Sequence, residues 1–232
     1  MSDEIGRPVF EMTTGARVAE YIRSLVWDGK LRGGDRVAQA EIAAALGMSR
    51  IPVREGLVAL EAEGLVRHEP QRGAFVVGLD RAFVRDHYAL LGLVLAYVIE
   101  QAVGRGDPGF REEMGALGQR VAGATTADEI FPLAVEFKER VCHAGGSARA
   151  RAAVGAMERL VPGNLHARVP EAIGLTRVGV GAIEAAIRRG DATGAAAETR
   201  TMTNRLGEAV IRELERRGII EREEAACAAP RA

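Results

Sequence analysis

The sequence predicts a mainly α-helical chain in two parts: a small N-terminal unit closed by a β-hairpin, then a longer bundle of helices alone. Three observations predict it. The run AALGMSRIPVRE, Ala44 to Glu55, reads as one helix ending at Gly47 and a second opening at Ser49. Two short β-patterned runs follow, Leu65-Val66-Arg67 and Ala74-Phe75-Val76-Val77. After Asp80 the strand signals stop and apolar residues recur at helical spacing.

Taken in order, a helix fits Thr14 to Trp27, with Val18, Ile22, Leu25 and Val26 on one face and Gly29 closing it. Gly33-Gly34-Asp35 makes a turn into a helix at Gln39 to Leu46, which breaks at Gly47. The next helix has Ser49 as N-cap and Pro52 in its first turn, where a missing N–H costs little. Val53, Leu57, Leu60 and Ala62 supply its inner face, and Gly64 ends it. The two strands join across Glu69-Pro70-Gln71-Arg72-Gly73, and a hairpin after a helix-turn-helix is a winged helix. Beyond Asp80, helices fit 81–104, 108–122, 127–144, 148–161, 170–189 and 192–216. The punctuation agrees: Asp107-Pro108 is an N-cap followed by proline, Thr126 with Glu129 forms a capping box, and Gly190-Asp191 ends one helix and caps the next. The helix at 81–104 is apolar nearly all round, so it is central to the bundle or shared with a second subunit. Residues 10–79 are expected as a winged-helix domain, 80–218 as an all-helical effector-binding and dimerisation domain, and 219–232 as a disordered tail.

Composition narrows the function classes. With 47% hydrophobic and 27% charged residues in a chain of 232, this is the profile of a soluble globular protein. The formal net charge is −1, so no global basic field announces nucleic acid; any positive patch must be local. Cys142 and Cys227 make no metal-type spacing, and a reducing cytoplasm is the expected compartment. The start MSDEIGRPVF lacks the apolar run of a secretory signal, and the most apolar window, Leu90 to Ile99, is too short to span a bilayer.

The chemistry concentrates at Arg50 and Arg54. Both lie toward the N-terminal end of the second helix of the pair, where a helix entering the DNA major groove makes its base contacts. A guanidinium fork suits the O6/N7 edge of guanine. From Gly47 to Arg54 there are two positive charges and no acid, which answers the net-charge objection locally. The bland alternative is a solvated charged face on a protein-binding winged helix.

Residues 16–78 resemble the winged helix of the GntR superfamily, whose pattern runs roughly G-x-L-x-P-G, L-A-x-x-L-G-V-S-R-x-P-V-R-E-A-L-x-x-L-E-x-x-G-L-V and R-G-x-x-V. This sequence supplies Gly29, Leu31 and Gly34, the run Leu46 to Glu55, the run Leu60 to Val66, and Arg72, Gly73 and Val76, with Gly33 where proline is usual. The helical remainder is similar in length and pattern to the effector domain of the FadR/FCD branch. The resemblance implies a cytoplasmic homodimer acting as repressor or activator on an inverted-repeat DNA operator and answering to a small-molecule effector. Residue by residue it implies DNA contacts from Arg36, Ser49, Arg50, Ile51 and Arg54, and from the wing tip Gln71, Arg72 and Gly73.

The effector half departs from its relatives. Metal-binding members carry Asp-x-x-x-His on one helix and two later histidines; aligned by Glu136-Phe137, this sequence has Ala134, Lys138 and Val180, then Met202 or Arg205, at those positions. No metal or other cofactor is therefore expected. His87, His143 and His166 could meet in space, but their spacings are unrelated. His68 could touch phosphate or pack, Cys142 reads as a core residue, and no carboxylate dyad or nucleophile pattern supports catalysis. Two pockets stay open. In one, Lys138 replaces the ion as a point charge for an anion, helped by Arg140, Arg177 or Arg205. The other is mostly apolar, lined by Leu91, Leu95, Val135, Val180 and Met202, for a neutral or acyl-type molecule. Lys138 turned to solvent is the plain reading beside both. The competing function is a ligand-independent architectural DNA-binding dimer with a vestigial effector half.

Overall fold

The computed structural model describes residues 12–163 and 165–221, and the chain divides into two compact units, one to Gly78 and one from Leu79. Of the expected tail only Ile219, Ile220 and Glu221 are described, and Ile220 is buried; the rest, with Cys227, lies outside the described residues, as does the N-terminal decapeptide.

In the first unit, α1 (Thr14–Trp27) is capped by Thr13, whose hydroxyl accepts from the Ala16 N–H at 3.2 Å. Val18, Ile22, Val26 and Trp27 are buried, while Leu25 is only half-buried. Helix α2 (Gln39–Leu46) ends on Gly47 in the left-handed region at φ 63°, the turn that aims α3 (Arg50–Ala62) away from it. Helices α1 and α3 approach closely at Gly56, where a Cβ would stand 2.9 Å from the Gly15 carbonyl oxygen. The buried face of α3 is Val53, Gly56, Leu57 and Leu60. Ala62, expected on that face, is exposed, because nine residues at 100° each set it opposite Val53. Ser49 occupies the N-cap position in extended backbone, but its side chain makes no capping bond.

Strands β1 (Val66–Glu69) and β2 (Gly73–Val76) pair antiparallel, with Val66 opposite Val76 and Glu69 opposite Gly73. Each is displaced from the expected span. Leu65 spends its N–H on the Leu60 carbonyl at 3.0 Å, so β1 starts one residue later and runs on into the wing. A third segment joins the hairpin: Arg36 bridges Phe75, and Val37 N–H donates to the Ala74 carbonyl at 2.8 Å. The glycine that replaces the usual proline at position 33 has a steric reason. A Cβ on Gly33 would lie 3.0 Å from the Val77 carbonyl oxygen and 3.5 Å from the Gly78 Cα, so a side chain there crowds the backbone that follows β2. One buried ion pair crosses this unit, Arg23 forking onto Glu63 at 2.8 Å through both Nε and Nη2.

The second unit is all helix among the described residues: α4 (Arg81–Gly104), α5 (Pro108–Gly123), α6 (Ala127–Gly145), α7 (Ala148–Glu158), α8 (Ala172–Arg189) and α9 (Ala192–Arg216). A short 3-10 turn at His166–Arg168, which the sequence pattern did not suggest, interrupts the stretch between Pro162 and Pro170. It also holds α7 and α8 to less than their expected lengths, since proline disfavours the helical region for the residue before it. The expected caps at Asp107 and Asp191 form, accepting from Gly109 N–H at 2.9 Å and Gly194 N–H at 2.8 Å, and Glu129 closes its capping box on the Thr126 N–H at 3.1 Å.

Helix α4 runs along α9 at close range: a Cβ on Gly207 would come within 2.7 Å of the Tyr88 Cβ. Leu95, Val98, Ile99 and Val103 are buried in the core with Met114 and Leu117 of α5, Phe137 of α6 and Ile183 of α8. The opposite side of α4 is apolar and bare, with Leu90, Leu93 and Tyr97 between 52% and 55% exposed. As a whole helix of 24 residues, α4 is long and apolar enough to cross a bilayer by length and composition, which the ten-residue window had concealed; half of its most apolar window is buried within the unit.

Candidate functional site

The first unit gathers four of the expected DNA-contacting residues around one cleft. Arg36, Arg50, Arg54 and Gly73 line a cavity of about 360 Å³, together with Gln39 and Glu41. Helix α3 delivers Arg50 and Arg54 one turn apart at its N-terminal end, where the unpaired backbone N–H groups add positive potential. Arg36 arrives from the bridge to β2, and the Gly73 backbone faces its guanidinium, 3.4 Å from where a Cβ would sit. Ile51 is 69% exposed in the first turn of α3, and Ser49 is exposed beside it. An apolar side chain there matches the methyl group of thymine, while the arginines match guanine. Glu41 is a carboxylate in the same lining that counting charges from Gly47 to Arg54 had missed.

The wing tip carries Gln71 at φ 62°, a conformation that non-glycine residues seldom adopt. Arg72 is exposed but not free: it and Arg67 both pair with Glu69, and both guanidinium groups lie over the Phe75 ring, at 5.3 and 5.7 Å from its centroid. His68, considered for phosphate, bonds Glu61 through both its backbone N–H and its ring Nδ1 at 2.8 Å, which holds the Glu61 carboxyl below its usual range.

The second unit contains a separate cavity of about 190 Å³. Six of the seven residues expected to line a pocket do so: Leu91, Leu95, Val135, Lys138, Val180 and Met202. Arg205 does not. It is exposed, because α9 turns Met202, Thr203 and Leu206 inward and carries position 205 outward. Arg140 and Arg177 are also diverted, Arg140 to Glu113 at 3.1 Å and Arg177 to the Ala124 carbonyl at 2.5 Å. Lys138 is neither turned out to solvent nor a free cation: it forms an ion pair with Glu158 of α7. Ala134, Lys138, Val180 and Met202, the positions aligned with a metal-ligand set, share this one cavity, and no group of three metal-ligating side chains occurs among the described residues.

Of the three histidines, two come together. Tyr88 Oη lies 2.7 Å from His166 Nε2, and the His87 ring stands edge-on to Tyr88 at 5.3 Å; His143 is exposed on α6. Burial pushes His87 down to about 4, and burial followed by the Lys138 charge does the same to His166, while burial raises the Tyr88 hydroxyl. His87 Nε2 is buried without a hydrogen-bond partner. Unfolded histidines take up protons near pH 6.5 and these folded ones only near 4, so the unfolded state binds more protons in that window. Stability is therefore expected to fall as pH drops from 6.5 to 5, by on the order of 1–2 kcal/mol for each histidine. Thermal melting checks it: His87→Phe, which sacrifices no hydrogen bond, should lessen the slope, and an unchanged slope contradicts the assignment.

Residues 14–76 match the family profile described as bacterial regulatory proteins, gntR family. An uncharacterised HTH-type transcriptional regulator of Mycobacterium tuberculosis is 32% identical over 146 residues, 63% of this chain and 60% of that protein. The chain thus spans about three fifths of the length of that relative. The gluconate operon transcriptional repressor of Bacillus subtilis is 35% identical over 91 residues, 39% of this chain and 37% of the repressor. Among solved structures, a GntR-family transcriptional regulator from Pseudomonas syringae superposes with a TM-score of 0.53 at 23% identity, covering 87% of this chain and 86% of that one, a likeness of fold.

Proposed function

We propose that this chain, whose residues 14–76 match the gntR family of bacterial regulatory proteins, is a homodimeric transcriptional regulator that reads an inverted-repeat operator and is tuned by a small molecule held in its helical unit. One observation carries the DNA reading: Arg36, Arg50, Arg54 and Gly73 line a single cleft at the start of α3 and the foot of the wing. Direct readout through α3 and positioning through the wing divide the work, since base-edge contacts specify and backbone contacts set register.

Dimerisation draws support from α4. Leu90, Leu93 and Tyr97 recur at helical spacing and leave an apolar stripe in solvent, and a second copy of this chain covers it in the proposed assembly. Pairing two half-sites raises effective affinity by roughly 100-fold or more over one winged helix. Selection of random duplexes on the full chain should enrich an inverted repeat. The double variant Leu93→Glu/Tyr97→Glu should sediment as a monomer and retain only half-site affinity. Enrichment of no sequence overturns the regulator reading, and a variant that stays dimeric overturns the interface.

A further inference from the structure

The cavity in the helical unit has a chemistry of its own, and the inference drawn from it rests on the reading of that unit as the ligand-binding half. Its formal charges are Lys138 and Glu158, which neutralise each other across the gap between α6 and α7. Both side chains are mostly buried, at 27% and 29% exposed. An entering carboxylate has to take Lys138 from Glu158 and leave that acid uncompensated beside a second anion, and an entering cation meets Lys138. Either strands a charge away from bulk water, which costs more than the new pairing returns.

Beside the threonines Thr176 and Thr203, the latter with its hydroxyl already donated to the Thr199 carbonyl at 2.8 Å, the uncharged polar element of the lining is the Tyr88–His166 pair, on α4 and the 3-10 turn. Two neutral rings share one 2.7 Å bond, and that bond uses one of their two protons. Whichever way it points, the other O–H or N–H stays available as a donor and a ring nitrogen or hydroxyl oxygen as an acceptor. The walls around the pair are flat and apolar. The Phe131 ring lies 6.3 Å from the His166 ring at a tilt of 34°, and Phe137 and Val180 close the inner side. A dry apolar cavity of roughly 150 Å³ takes up benzene, and this one is about 190 Å³.

We infer that this cavity binds an uncharged ring compound, aromatic or alicyclic, of about ten non-hydrogen atoms, whose single hydroxyl or carbonyl group meets the Tyr88–His166 pair while the Lys138–Glu158 ion pair turns carboxylates away. The ring fills the space between Phe131 and Met202, where offset aromatic and sulfur contacts favour it.

The test uses the full chain, without DNA, and three probes: benzyl alcohol, acetophenone and benzoate. Titration by ligand-observed NMR at pH 7.5 should give dissociation constants of about 1 mM for the neutral pair, the range open to ligands this small. Benzoate should bind at least about tenfold more weakly, in keeping with the cost of stranding a charge. His166→Phe, which keeps the ring, should weaken the neutral probes about fivefold through the lost hydrogen bond. Glu158→Gln frees Lys138 and should raise benzoate to parity. Benzoate binding more tightly than the alcohol in the unaltered chain overturns the inference, as does failure of all three probes to saturate, or neutral-probe binding indifferent to His166→Phe in a variant that melts normally. The duplex selection described above fails or succeeds independently. Selective DNA binding without neutral-probe binding removes this inference alone, and probe binding without a selected sequence removes the regulator reading alone.

Discussion

Arg54→Ala is expected to lower affinity by roughly 10- to 100-fold for each half-site of the selected operator, the value of one good bidentate contact to a guanine edge. The loss should be largest for duplexes that keep the matching base pair, so discrimination at one position of each half-site collapses. Arg54 is exposed on the outer face of α3, and its replacement disturbs no buried contact; exposed substitutions of this kind usually shift stability by less than about 0.5 kcal/mol. Sedimentation and melting should therefore be unchanged. Arg50→Ala should act at a neighbouring position, and the double variant should bind selected and random duplexes alike. Footprinting against a competitor duplex decides it, and a protected operator in the Arg54→Ala variant defeats the assignment of α3 as the reading helix.

Glu63→Ala is expected to destabilise the N-terminal unit by about 3 kcal/mol, the cost of leaving one partner of a buried ion pair behind. Arg23 is only 3% exposed and is held by two 2.8 Å bonds to Glu63 and one to Glu20. Burial works against its charge, yet the two carboxylates outweigh that and raise its proton affinity above the ordinary value. Without Glu63 it retains Glu20, whose own side chain is 42% exposed and well hydrated. Trp27 is the single tryptophan of the chain, buried in the same unit, so its fluorescence follows this unfolding by itself. In urea the Trp27 transition should move to lower denaturant while helical ellipticity dominated by the second unit holds. A midpoint that stays in place contradicts the energetic role given to the pair.

What was legible in the sequence was local. The ends of α1, α2, α4 and α9 followed from caps, glycines and 3.6-residue spacing, because each of those signals acts within one helical turn. The wing was legible as a hairpin, but its register depended on Leu65 giving its N–H to α3, a competition that a strand pattern does not display. Arg36 entered the cleft through a bridge to Phe75, 39 positions away, and only the family resemblance had singled it out. In the second unit the alignment brought Leu91, Leu95, Val135, Lys138, Val180 and Met202 to one cavity, yet neither of the decisive polar pairings was readable. Lys138 meets Glu158 and Tyr88 meets His166 across separate elements, the latter pair 78 positions apart, and spacing carries no information at that range. Arg205 failed as a pocket residue for a simpler reason, a rotation of about 100° along α9.

The clasp of Glu69 on Arg67 and Arg72 bears on how the wing meets a phosphate backbone. Binding to DNA draws on the release of condensed counterions, with a slope of log affinity against log salt close to −0.9 for each phosphate newly neutralised. An arginine that already holds a carboxylate arrives with its charge compensated, so a phosphate at the wing exchanges one anion for another and sets the Glu69 charge adrift. In the proposed complex the counterion release would fall on Arg36, Arg50 and Arg54, and the wing would contribute through the shape of its tip at Gly73. On the proposed reading, a chain with a net charge of −1 would hold unselected DNA weakly and owe its affinity for the operator to geometry.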